Sequence, residues 1–198
     1  MSKAVLISVR PEWCAKILSG EKTIEIRKTR PKLEPPFKCY IYGTKGKKNA
    51  DGRYRHYYWY RKDNIPRSFE GGKVIGEFVC DAIYPISFYA SDSSFFDNAP
   101  PLSVPGTCLT DREIAEYLGN GKTGYGWHIS DLKIYDVPLT LDAFMKQPCD
   151  FAASCGCCSH VRWIGTSHTF GHCECEFSVT RAPQSWCYVE EIEKKNEK

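Results

Sequence analysis

The chain has 198 residues, enough for one domain of ordinary size with insertions or one domain plus a small module. Its hydrophobic fraction of 42 % supports a packed core, and no apolar run approaches the roughly 18–20 residues that a membrane-spanning helix needs. The net charge of +3 conceals an asymmetry: residues 1–62 hold 16 Lys and Arg against 5 Asp and Glu, whereas residues 63–198 hold 11 against 19. A basic N-terminal third attracts phosphates, or is simply a solvated basic surface.

The N-terminal MSKAVLISVRPEW is too short in apolar residues, and too interrupted by charge, for a signal peptide. The expectation is a soluble, cytoplasmic protein with no membrane partner. Of the 11 cysteines, six lie between Cys149 and Cys175. An odd count without a signal peptide argues against a secreted disulfide framework.

In chain order, Ala4 to Val9 reads as a strand. Pro11 opens a short helix whose stripe is Trp13, Cys14, Ile17 and Leu18, and Gly20 stops it. The next segment, Lys22 to Lys28, alternates: Ile24 and Ile26 point one way, and Thr23, Glu25 and Arg27 the other. A proline-rich connector leads to a strand over Phe37 to Tyr42. Asp51-Gly52 predicts a hairpin turn, followed by a tract that interleaves arginines with four tyrosines and Trp59. Gly72 to Tyr84 reads as a long strand bent at Gly76. Residues 87–108 read as loop.

Thr110-Asp111-Arg112-Glu113 matches a capping box and predicts a helix to about Leu118. Tyr125 to Ser130, Leu132 to Val137 and Gln184 to Glu190 read as strands, with a helical turn over Leu139 to Met145. Six or seven short strands with two helices point to an α+β fold built on a closed or partly closed barrel rather than a sandwich. The predicted organisation is a barrel over 1–145, a cysteine-rich insertion over 146–182, a returning strand over 183–191 and a disordered charged tail over 192–198.

The helix ending in Gly20, followed by Lys22, Glu25 and Arg27, spells G-x-K-x-x-E-x-R. This segment, with GKVIGEFVCD, GYGWHISDLKIYDVP and PQSWCYVEE after it, resembles the ASCH family of the PUA-like superfamily. The closing segment resembles a subgroup common in phage and gut bacteria. The resemblance covers about residues 3–144 and 183–191. It implies a small mixed β-barrel with flanking short helices and a cleft for RNA or a nucleotide. A few small members with this fold hydrolyse an acetylated cytidine nucleoside, but they carry threonine where this chain has Glu25.

Read as chemistry, Glu25 and Arg27 share a strand face about 6.5–7 Å apart. An arginine fork suits a phosphate or a base edge, and a carboxylate accepts from an exocyclic amine. Lys22 supplies a point charge, or a base if burial lowers its pKa. Thr23 adds a hydroxyl, and His128 an imidazole on a neighbouring strand. The bland alternative is a Glu–Arg pair on a solvated strand. In the hydrolytic alternative, Lys22 and Glu25 are the catalytic pair. Trp127 reads as a core residue, and Glu113 is explained as a helix cap. Arg53, Arg55, Tyr57, Trp59 and Arg61 form a second candidate nucleic-acid surface, through stacking and phosphate contacts. Its bland counterpart is a hairpin whose tyrosines cover the barrel wall.

Cys149, Cys155, Cys157, Cys158 and His160 are followed by His168, His172, Cys173 and Cys175, nine soft or borderline ligands in 27 residues. This stretch has few aliphatics and needs a staple to fold. The expectation is one structural Zn2+ on Cys149, Cys155, Cys173 and Cys175, with Cys157, Cys158, His160 and His172 as rivals, and no organic cofactor. Free thiols on a disordered insertion are the alternative. A third functional reading is a phage-type protein-interaction module whose cysteine-rich face docks a partner.

Overall fold

The computed structural model describes residues 2–54, 56–60, 66–87, 103–119, 121–146 and 178–192. The chain begins with β1 (Lys3–Val9), α1 (Pro11–Ser19) and β2 (Ile24–Arg27). β3 (Phe37–Gly43), the hairpin β4 (His56–Tyr60) and β5 (Pro66–Glu70), then β6 (Lys73–Cys80) and β7 (Ile83–Ser87) follow. The short pair β8 (Ser103–Val104) and β9 (Leu109–Thr110) leads into α2 (Asp111–Leu118). β10 (Thr123–His128), β11 (Ser130–Leu139), a 3-10 turn at Leu141–Ala143 and β12 (Trp186–Glu190) complete the described elements.

Proline at the first position starts α1, and Gly20, at φ +82°, ends it with its N–H on the Ile17 carbonyl. The buried face is Pro11, Cys14, Ile17 and Leu18. Trp13 is only half-buried. α2 has the expected capping box: the Thr110 side chain accepts from the Glu113 N–H, while the Glu113 carboxylate accepts from the Thr110 N–H.

Five strands form one sheet in the order β11-β6-β3-β1-β12, and three form another in the order β2-β10-β7. The β1–β3 pair is parallel, as the intervening crossover through α1 and β2 requires. The strand pairs turn from one sheet into the other at two corners. β6 passes into β7 across Asp81-Ala82, and β10 passes into β11 at Ile129. The expected barrel is therefore an open arrangement: among the described residues no ladder joins β2 to β1 or β12. The long strand expected over Gly72 to Tyr84 is divided at Asp81-Ala82 into β6 and β7. At Gly76 the backbone of β11 approaches closely, because a Cβ there would stand 2.4 Å from the Lys133 carbonyl oxygen. Both ladders of β6 shift register nearby.

β1 is buried on both faces, as its unbroken apolar run requires. Val5, Ile7 and Val9 join a core with α1, Trp59, Phe69 and Trp127. Ala4 and Leu6 join a second core with Tyr40, Phe144, Val179 and Val189. A third, smaller cluster packs Ile114 and Leu118 of α2 on Ile26 of β2. No helix among the described residues is long and apolar enough to cross a membrane.

Candidate functional site

β2 alternates as its sequence predicts, but neither face is solvated. On one side Ile24 and Ile26 lie under α2. On the other, Glu25 and Arg27 are 7 % and 6 % exposed, and Lys22 just before them is 2 % exposed. The ladder with β10 sets Trp127 opposite Glu25 and Tyr125 opposite Arg27, so these four side chains share the inner face.

The three charges form one network. Arg27 Nη2 lies 3.0 Å from Glu25 Oε1 and also donates to the Ser8 carbonyl at 2.6 Å. Arg27 Nη1 is 3.4 Å from Ser185 Oγ. Lys22 Nζ donates to the Ile24 carbonyl at 2.8 Å and the Thr107 carbonyl at 2.7 Å. It lies 3.3 Å from Glu25 Oε2, at ion-pair distance but without hydrogen-bond alignment. The same ammonium sits 5.4 Å from the centre of the Trp13 ring. One carboxylate between two cations leaves the buried triad with a surplus positive charge. Glu25 Oε2, Arg27 Nε and the Trp127 indole nitrogen are buried with no hydrogen-bond partner among the described residues. An acceptor and two donors are thus left without hydrogen bonds on this face.

Neighbouring groups register the charges. Burial pushes the Tyr117 phenol up, with Arg27 and Arg10 pulling it down and Glu25 pushing it up. Burial, reinforced by Glu25, holds the Cys14 thiol well above its ordinary range, so it is a neutral core group. Thr107 was hidden in a segment that reads as loop. Its hydroxyl donates to the Val104 carbonyl at 2.8 Å and accepts from the Leu109 N–H at 3.1 Å, which fixes the β8–β9 turn under Lys22. Ser8 and Ser185 were likewise not foreseen. No sequence signal pointed to them: the need of a lysine and an arginine for carbonyl acceptors follows only once their burial is known.

The other sequence candidates separate from the triad. Thr23 precedes β2 and is pinned through its backbone, N–H to the Gly106 carbonyl and carbonyl to the Ile129 N–H, both at 2.8 Å. His128 pairs with Ile24 in the ladder and so lies on the face opposite Glu25 and Arg27. Its Nδ1 is 2.6 Å from Asp81 Oδ1, which lowers the Asp81 pKa. Trp127 is fully buried, edge-on to Phe37 at 6.0 Å, as the core reading expects.

In the aromatic tract, Tyr57 stacks on Phe69 at 5.8 Å and Trp59 is 6 % exposed, so both face the core rather than solvent. Arg53 is exposed. Arg55 and Arg61 lie outside the described residues, as do Cys149, Cys155, Cys157, Cys158, His160, His172, Cys173 and Cys175. Among the described residues no group of three or more His, Cys, Asp or Glu is arranged to hold a metal.

An open groove of about 590 Å³ lies against the β4 hairpin, and none of Lys22, Glu25 or Arg27 lines it. No protein-family model and no curated protein matches the chain. Among solved structures it is similar to the crystal structure of ASCH from Zymomonas mobilis, at 19 % identity over 70 % of this chain and 74 % of that one, with a TM-score of 0.44. A tyrosine-to-phenylalanine mutant of that protein matches at 19 % identity over 71 % and 78 %, with a TM-score of 0.44. A serine-to-alanine mutant matches at 19 % identity over 70 % and 75 %, with a TM-score of 0.45.

Proposed function

We propose that this chain is an ASCH-type protein that binds RNA or a modified nucleotide on the inner face of β2, with Lys22, Glu25 and Arg27 as its reading set. The observation that carries this reading is the buried, unpartnered trio of Glu25 Oε2, Arg27 Nε and the Trp127 indole N–H beside a surplus positive charge. Each unsatisfied buried group costs about 1–3 kcal/mol. A ligand edge with one donor and two acceptors recovers that cost. The amine, ring nitrogen and carbonyl of a cytosine-like base present that set. The G-x-K-x-x-E-x-R segment supports the same reading through its family resemblance.

Lys22 serves as a positioning group in this scheme. Its ammonium is directed at two carbonyls, Glu25 and the Trp13 ring, an arrangement that holds it as a donor rather than a nucleophile.

The test is calorimetric titration with the four nucleoside monophosphates and N4-acetylcytidine, on the wild type, Glu25→Gln and Arg27→Lys. Binding that weakens with salt and falls at least tenfold in both variants is expected, since lysine keeps the charge but loses the fork. Affinity that survives both substitutions, or is indifferent to salt, overturns the reading. Turnover of N4-acetylcytidine that disappears in Lys22→Ala replaces it with the hydrolytic one.

A further inference from the structure

The β4 hairpin turns its two faces to different environments. Tyr57, Trp59 and Phe69 face the core, whereas His56, Tyr58 and Tyr60 alternate onto the other side. That side is not covered: Tyr58 is 63 % exposed and Tyr60 54 %. The two rings stand on one face of one strand, about 6.5–7 Å apart along it. Exposed aromatics paired in this way form a platform.

Beside the platform lies the groove of about 590 Å³, whose walls include Asn49, Arg53, Tyr54, His56, Tyr58 and Glu70. That volume falls in the range of small-molecule and nucleotide sites, roughly 300–1,000 Å³. Its far wall is a built turn. The Gly52 N–H donates to the Asn49 carbonyl at 3.0 Å, and the Asn49 N–H donates to the Arg53 carbonyl at 2.8 Å. Lys48 bridges to Tyr54 across this turn. The Tyr54 ring collects two ammonium groups, Lys48 Nζ at 5.3 Å and Lys45 Nζ at 5.5 Å from its centre. Tyr54 lines the groove, and its ring therefore holds two cations beside that wall without neutralising them as a carboxylate would. Glu70 stands opposite His56 in the ladder. Residues 44–60 carry five Lys and Arg against one Asp.

We infer that the outer face of β4 and its groove form a binding surface for single-stranded nucleic acid, with bases stacking on Tyr58 and Tyr60 and the backbone phosphates held by Lys45, Lys48 and Arg53. The occupant follows from charge and shape together. A flexible polyanion carrying flat aromatic bases satisfies exposed rings and clustered cations at once. A duplex hides its base faces and cannot use the platform. This surface shares no residue with the Lys22–Glu25–Arg27 triad, so it stands or falls separately. It replaces the inward-facing Tyr57 and Trp59 with their strand neighbours.

Fluorescence anisotropy with a labelled ten-nucleotide oligouridylate tests it, with the DNA strand of matching sequence and a duplex as comparisons. Tyr58→Ala is expected to weaken single-strand binding about 5- to 150-fold, the stacking of one base. Tyr58→Phe is expected to retain it within about twofold, since the ring is what stacks. The Lys45→Ala, Lys48→Ala double variant is expected to reduce the salt slope by about 1.4, two single-strand phosphates. Circular dichroism establishes that each variant is folded. Wild-type protein that does not bind the strand, Tyr58→Ala that binds as the wild type does, or a duplex that binds as tightly as a single strand overturns the inference. Arg27→Lys serves as the separating control: loss of nucleoside binding there, with strand binding intact, leaves the groove standing whatever the fate of the triad.

Discussion

Arg27 donates to the Ser8 carbonyl at 2.6 Å across a gap that no described ladder spans. The β2-β10-β7 sheet is thereby tied to β1 of the larger sheet by a side chain, where a closed barrel uses backbone pairing. The same guanidinium balances Glu25 at 3.0 Å, so one residue both closes the structure and charges the candidate site.

Arg27→Ala should therefore cost more than a surface substitution. It leaves the Ser8 carbonyl without this donor and strips Glu25 of its nearer ion-pair partner, and breaking a buried pair costs about 3–5 kcal/mol. Urea denaturation measures it. A loss below about 1 kcal/mol would show that water replaces the guanidinium freely, contrary to a buried link.

Lys22→Met tests the other half of the network. Methionine matches the length of the stem but offers nothing to the Ile24 and Thr107 carbonyls, which now accept at 2.8 and 2.7 Å. The expected cost is about 2–3 kcal/mol from those unmade hydrogen bonds. Amide exchange at Leu109, whose N–H bonds the Thr107 hydroxyl at 3.1 Å, should accelerate at the same time. Unchanged exchange would mean that the β8–β9 turn does not depend on Lys22.

Gly76→Ala places a methyl 2.4 Å from the Lys133 carbonyl, a backbone atom that cannot swing aside. Overpacking of this kind costs about 1–3 kcal/mol, and here the β6–β11 ladder must move to admit it. A thermal midpoint equal to the wild type would refute the close approach.

The two helices were legible in the sequence because their signals are local: Pro11 and Gly20 bracket one, and Thr110 with Glu113 caps the other. The β2 motif was legible as a polar set but not as a buried one. Alternation says only that Glu25 and Arg27 share a face; that the face is closed depends on Ser8, Thr107 and Ser185, which lie far away in the chain. The orientation of β4 was hidden for a related reason. Both of its faces carry aromatics, so periodicity could not choose between Tyr57 with Trp59 and Tyr58 with Tyr60. Packing on Phe69 and the α1 core decides it.

The composition of residues 146–182 proposes one structural Zn2+ on Cys149, Cys155, Cys173 and Cys175, or on rivals among Cys157, Cys158, His160 and His172. Freshly purified protein should carry about one equivalent by elemental analysis, and chelation should lower the thermal midpoint, because structural zinc contributes its binding energy to folding. Less than about half an equivalent would remove the site.

The α2 cap gives stability an acid limb that can be assigned. The Glu113 pKa is lowered, first by the Thr110 N–H at 2.8 Å and then by the Thr110 hydroxyl at 2.9 Å. A carboxyl depressed in the folded state contributes stability that is complete above its unfolded pKa and is lost as pH falls through the folded one. Glu113→Gln removes the charge but not the shape, so it should be less stable than wild type at about pH 7, with the difference shrinking toward about pH 3. Thr110→Ala should cost about 1 kcal/mol at neutral pH by removing the cap itself. Because Ile114 and Leu118 roof the outer face of Ile26, loosening α2 should also weaken nucleoside binding at the inner face of β2. Urea midpoints across this pH range, read beside nucleoside affinity, check both. A gap between wild type and Glu113→Gln that widens on acidification would contradict the assignment.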